Sequence, residues 1–158
     1  MTGQNATLSE QTYRNIVLPV GARCVLLGTY ATGNLVLGAG ASVDSSTATI
    51  DGGLLGVLLG GVRVTGGRIG GSVDVIQSQA LTLSGTSVGG SVQLIANAGP
   101  LGLQDLRETR NIQLFYNRGD ASINRNVVGG DLQCTGNQLT PTGSGNLASS
   151  KEDQCRGL

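Results

Sequence analysis

Gly71-Ser72-Val73-Asp74-Val75 and Gly90-Ser91-Val92-Gln93-Leu94 carry one pattern: a glycine and a small polar residue, then apolar, polar, apolar. It returns at Gly33-Asn34-Leu35-Val36-Leu37 and Gly130-Asp131-Leu132-Gln133-Cys134. Weaker copies stand at Arg14-Asn15-Ile16-Val17-Leu18, Gly52-Gly53-Leu54-Leu55-Gly56 and Arg110-Asn111-Ile112-Gln113-Leu114. The starts at 14, 33, 52, 71, 90, 110 and 130 lie 19 or 20 residues apart. A fixed period of this size marks a stack of units, none of which can bury its apolar side alone.

Aligning the units shows where each side chain points. Ile16, Leu35, Leu54, Val73, Val92, Ile112 and Leu132 form one apolar column, and Leu18, Leu37, Gly56, Val75, Leu94, Leu114 and Cys134 another. The alternation between them has the period of two that a strand requires. A second inward pair follows in each unit (Cys24/Leu26, Val43/Ser45, Val62/Val64, Leu81/Leu83, Leu101/Leu103, Ala121/Ile123), and a third position gives Ala31, Ile50, Ile69, Val88 and Val128. Three short strands per coil predict an all-β fold, a single-stranded parallel β-solenoid of about seven coils. The absence of a strict six-residue beat favours a right-handed β-helix. The coils occupy residues 14–134, with a lead-in or partial cap over 1–13 and a capping tail over 135–158. The row Asn15, Asn34, Gly53, Ser72, Ser91, Asn111, Asp131 suits hydrogen-bonded stacking. Gly70-Gly71, Gly89-Gly90 and Gly129-Gly130 are expected to take positive φ at corners.

Composition narrows the function classes. Ten Lys+Arg balance ten Asp+Glu, so charge gives no reason to expect nucleic acid as a partner. Histidine and tryptophan are absent, which removes histidine triads, the common zinc sets and the strongest stacking platforms. No cofactor or metal is expected. Glycines interrupt even Leu54-Leu55-Gly56-Val57-Leu58-Leu59, so membrane insertion is not expected. Gly66-Gly67-Arg68-Ile69-Gly70-Gly71 lacks the lysine and the following helix of a phosphate loop and reads as corners.

The repeated units, Gly129-Gly130-Asp131-Leu132-Gln133-Cys134 and the tail from Pro141-Thr142-Gly143-Ser144-Gly145-Asn146 to Lys151-Glu152-Asp153-Gln154-Cys155 resemble small, largely uncharacterised bacterial right-handed β-helix proteins, often exported. More distantly the chain is similar to bactofilins, whose β-helices polymerise end to end; the tail departs from that pattern. Neither resemblance brings a catalytic motif.

Cys24 and Cys134 fall six coils apart, roughly 29 Å at about 4.8 Å per coil, far beyond the ~7 Å a disulfide spans. Cys134 lies inward on the last coil, where a tail pinned by Cys134–Cys155 would cover the open end. Two free thiols are the other possibility. The disulfide implies an oxidising compartment, extracellular or periplasmic. Cys24 reads as a small buried hydrophobe in its column.

One segment breaks the repeat, Asp105-Leu106-Arg107-Glu108-Thr109-Arg110, followed one coil later by Tyr116, Arg118 and Asp120. Glu108 falls where Val88 and Val128 point inward, so either Leu106 takes that place or the wall bulges outward. Glu108 with Asp105 or Asp120 are the candidate catalytic carboxylates, and Arg107, Arg110, Tyr116 and Arg118 the candidate ligand contacts. The competing reading is a solvated charged bulge, since the chain lacks groove-forming loops. Val17, Val36 and Leu55 head an otherwise polar outward row and mark a candidate interface, which Leu58 and Leu59 would widen. The expectation is a non-catalytic structural or binding scaffold, exported, with flat faces for a protein or glycan surface. The alternatives are a self-assembling homo-oligomer and a small carbohydrate-active enzyme.

Overall fold

A computed structural model describes residues 5–158. They form a parallel β-solenoid of about eight turns with three strands per coil and no helix. No helix among the described residues is long and apolar enough to cross a membrane. The first face stacks seven strands from Asn5–Ser9 to Ala121–Asn124, and the second seven two-residue strands from Thr12–Tyr13 to Val127–Val128. The third stacks eight, from Ile16–Leu18 to Ser150–Asp153. Every pairing is parallel and in register, for example Val73↔Val92, Asp74↔Gln93 and Val75↔Leu94. Stacking like on like makes the inward columns continuous, and they form one core from Leu8 to Leu158.

The apolar columns are joined inside by ladders of buried asparagine. Asn97, Asn117 and Asn137 lie one above another at the corner after the third face. Asn117 Nδ2 donates to Asn137 Oδ1 (2.9 Å) and to the carbonyl of Leu94 (3.0 Å), while its own Oδ1 accepts from the Asn97 backbone N–H and side chain (2.9 Å each). Ser78 continues the ladder at one end and Gln154 at the other. A second ladder joins Asn126 to Asn146. The ladders satisfy corner backbone groups that no strand can reach. The outer row at the next corner does the same, with Asn15 accepting from Asn34 N–H, Asn34 from Gly53 N–H and Asn111 from Asp131 N–H.

The corner glycines are there for a different reason than positive φ. Gly70, Gly71, Gly89, Gly90, Gly129 and Gly130 have no positive φ; that conformation occurs at Gly21, Gly28, Gly66 and Gly85, and also at Thr47, Asp105 and Arg125. Instead successive coils nearly touch at these corners. A Cβ at Gly89 would lie 2.2 Å from the Gly70 carbonyl oxygen, and one at Gly129 2.5 Å from that of Thr109. Hydrogen as the side chain permits this approach.

Both ends differ from the middle. Asn5–Ser9 and Thr12–Tyr13 extend the first and second faces by one strand each, but nothing among the described residues pairs with the outer edge of Ile16–Leu18 on the third. This leaves a notch of about 280 Å³ lined by Leu8, Ile16, Leu18, Ala22 and Cys24. At the other end the tail makes a further turn through bridges at Thr142 and Leu147 and the strand Ser150–Asp153. The last residues then fold over the core, burying Cys155 and Leu158. Cys155 is bonded to Cys134, with Cα atoms 5.2 Å apart. Cys24 is free and buried between Ala6 and Val43, where burial pushes its thiol pKa up.

Candidate binding face

The residues of the broken segment are distributed around the coil rather than gathered. Asp105 sits at the corner between the first and second faces, exposed, where Arg125 one coil later grips it bidentately (Nε–Oδ1 2.8 Å, Nη2–Oδ2 2.9 Å). Those bonds hold its carboxyl below the usual range. Arg125 was not among the sequence candidates, although its spacing of 20 from Asp105 is one coil. Arg107 points outward from the second face, while Arg110 lies exposed at the following corner. Tyr116, Arg118 and Asp120 all belong to the remaining corner, before Ala121–Asn124. Tyr116 is exposed, and its ring covers Gly136, where an added Cβ would sit 2.6 Å from Cδ1.

Glu108 follows neither of the two expected courses. The wall does not bulge, because Glu108 pairs in register between Val88 and Val128, and Leu106 does not replace it, being buried in the column of Thr86 and Asn126. Inside the wall Glu108 Oε1 accepts the Arg110 N–H at 2.6 Å and Oε2 has no partner. Burial raises its pKa from 4.5 to about 7, opposed by the Arg110 N–H and charge. Asp105 faces solvent at one corner, Asp120 belongs to another, and Glu108 faces the core. No pair of these carboxylates flanks a common cleft.

The outward row of the third face is different. Val17, Val36, Leu55, Asp74, Gln93, Gln113, Gln133 and Glu152 are register partners in sequence. Their side chains point out of the solenoid, as the alternation with buried Ile16, Leu35 and Leu54 requires. Val17 is 58% exposed and Leu55 36%. A parallel row, Val57, Ile76, Ile95 and Phe115, runs beside it. Leu58, at the adjoining corner, is 56% exposed and widens the stripe; Leu59 does not. It turns inward because Gly56 leaves the core column empty, and a Cβ there would lie 2.7 Å from Leu59 Cδ1.

A groove of about 620 Å³ on the first face is lined by Arg23, Asp44 and Arg63 above Ser42, Gly61 and Ala80. Among the described residues no three His, Cys, Asp or Glu gather as a metal site. Comparison with family models, curated proteins and solved structures found no match to this chain.

Proposed function

We propose that the chain is a non-catalytic β-solenoid scaffold, exported, whose third face binds a partner protein. The observation that carries this reading is the outward Val17, Val36, Leu55 stripe, exposed at Val17 and Leu55 and half-buried at Val36, flanked by exposed Val57 and Leu58, on a wall held by register pairing and internal ladders. Exposed contiguous apolar patches on rigid surfaces mark interaction sites. The placement of Asp105, Glu108 and Asp120 on different sides of the wall weighs against the carbohydrate-active reading. The Cys134–Cys155 bond supports an oxidising compartment and fits the likeness to small exported bacterial β-helix proteins.

A photocrosslinking residue at position 36, with position 82 on the first face as control, tests this in cells of the source organism. One dominant adduct from position 36 and none from 82 is expected; equal or absent labelling overturns it. End-to-end self-assembly is the second reading, favoured by the Ile16–Leu18 edge, which no strand among the described residues pairs with, and the notch beside it.

A further inference from the structure

The amides on the third face form a chain with a direction. Gln93 Nε2 donates to Gln113 Oε1 (2.7 Å), Gln113 Nε2 to Gln133 Oε1 (2.7 Å) and Gln133 Nε2 to Glu152 Oε2 (2.9 Å). On the other side of Gln93 the register places Asp74. Three amides thus lie between two carboxylates and make four junctions. Each junction needs one donor along the row; the amides bring three, and ionised carboxylates none. Turning every amide round only moves the shortage from Asp74 to Glu152. Glu152 has its donor in Gln133 Nε2. The gap therefore lies where the Asp74 carboxylate meets the carbonyl oxygen of Gln93.

No neighbouring side chain among the described residues supplies that donor. Among the described residues no hydrogen bond or ion pair reaches the Asp74 side chain; the single ion pair is Asp105–Arg125. The outward neighbours on its own strand and on the two strands packed against it are Ser72 and Ile76, Leu55 and Val57, and Ser91, Gln93 and Ile95, none of them charged. This partly desolvated setting raises the Asp74 pKa. The apolar stripe beside it, Val17, Val36 and Leu55 with Val57 and Leu58, covers about three rungs and at most a few hundred Å², short of the ~800 Å² per partner of a stable interface between folded copies. A short segment fits it better than a second copy.

Resting on the reading of this face as a binding surface, we propose that the Asp74–Gln93 junction receives a lysine or arginine side chain of a partner polypeptide, whose apolar residues lie on Leu55, Val36 and Val17. Its ammonium or guanidinium group supplies the missing donor and neutralises Asp74. The lengths agree: Val17 to Asp74 is three rungs, about 14 Å, and residues i and i+4 of an extended strand are about 13 Å apart on one side. The segment reads apolar-x-apolar-x-basic.

The probe is a capped peptide, Val-Ser-Leu-Ser-Lys, with norleucine replacing lysine in the control, titrated at pH 7.5 against the full chain and followed by amide chemical shifts. The lysine peptide is expected to bind about tenfold tighter than the control, moving Val36, Leu55, Asp74 and Gln93. Asp74→Asn carries its own N–H, completes the amide row and removes the charge, so it abolishes the preference for lysine while the folded spectrum and control-peptide binding persist. Leu55→Ser weakens both peptides. Equal binding of the two peptides, a preference surviving Asp74→Asn, or refusal of both overturns the proposal. Equal binding leaves the face reading intact, whereas absence of the adduct at position 36 removes that reading as well.

Discussion

Replacing Glu108 tests how strictly the register governs this wall. Its side chain is held between Val88 and Val128, with one carboxylate oxygen on the Arg110 N–H and the other unpaired. A pKa raised from 4.5 to about 7 means that the folded chain holds a proton the unfolded chain has released. The stability is therefore fully present below pH 4.5 and is lost as pH rises through about 7. At about 1.4 kcal/mol for each pH unit between those values, ionising Glu108 costs at most about 3 kcal/mol, and about 2 kcal/mol once residual solvation is allowed for. For a chain of this size that is roughly 4–12 °C in Tm. Thermal unfolding followed by circular dichroism at pH 5 and pH 8.5 reads it. Glu108→Gln keeps the shape without the titration and should lose this component of the pH dependence; Glu108→Val, matching its column neighbours, should be more stable than wild type at pH 8.5 by about 2 kcal/mol or more. Parallel wild-type and Glu108→Gln profiles, or a Glu108 carboxyl titrating near 4 by carbon NMR, would refute the reasoning.

Three further outcomes follow from the packing. Cys155→Ser opens a loop with a sequence separation of 21 and should cost about 3 kcal/mol in urea unfolding, with faster hydrogen exchange around Leu132 and Leu114. Asn117→Ala strands the Leu94 carbonyl and the Asn97 N–H and should cost about 3 kcal/mol by the same assay, whereas a change within the experimental error would show that water replaces the ladder. Gly56→Val drives a side chain into Leu59 and should cost about 2 kcal/mol; combined with Leu59→Ala the total should fall at least 1 kcal/mol below the sum of the single changes.

The inward columns were legible because a solenoid stacks each position on its copy, so one apolar column had to repeat every 19 or 20 residues. Cys134 and Cys155 were legible for the same reason, one being a column position on the terminal coil. The asparagine ladders were not. Asn97, Asn117 and Asn137 drew no reading from the sequence, because a lone asparagine is a common turn former; only their common spacing of 20 marks them as stacked and buried. Corner glycines were assigned the wrong cause, since sequence does not report how closely two backbones approach. The Glu108 position was found, but the local pattern left a choice between Leu106 inward and a bulge, and register pairing on both sides overrode the charge and excluded both. On the third face the stripe could be read from Val17, Val36 and Leu55. The donor shortage at Asp74 emerged only with the direction of the amide chain.

The central claim, a capped scaffold that keeps its third face for another molecule, is tested most directly by light scattering over a wide concentration range, coupled to non-reducing intact mass and peptide mapping. The account predicts a monomer of 16.0 kDa with Cys134 joined to Cys155 and Cys24 free. An oligomer that grows with concentration and is lost in Leu55→Asp, or free thiols at Cys134 and Cys155 in natively purified protein, would contradict it.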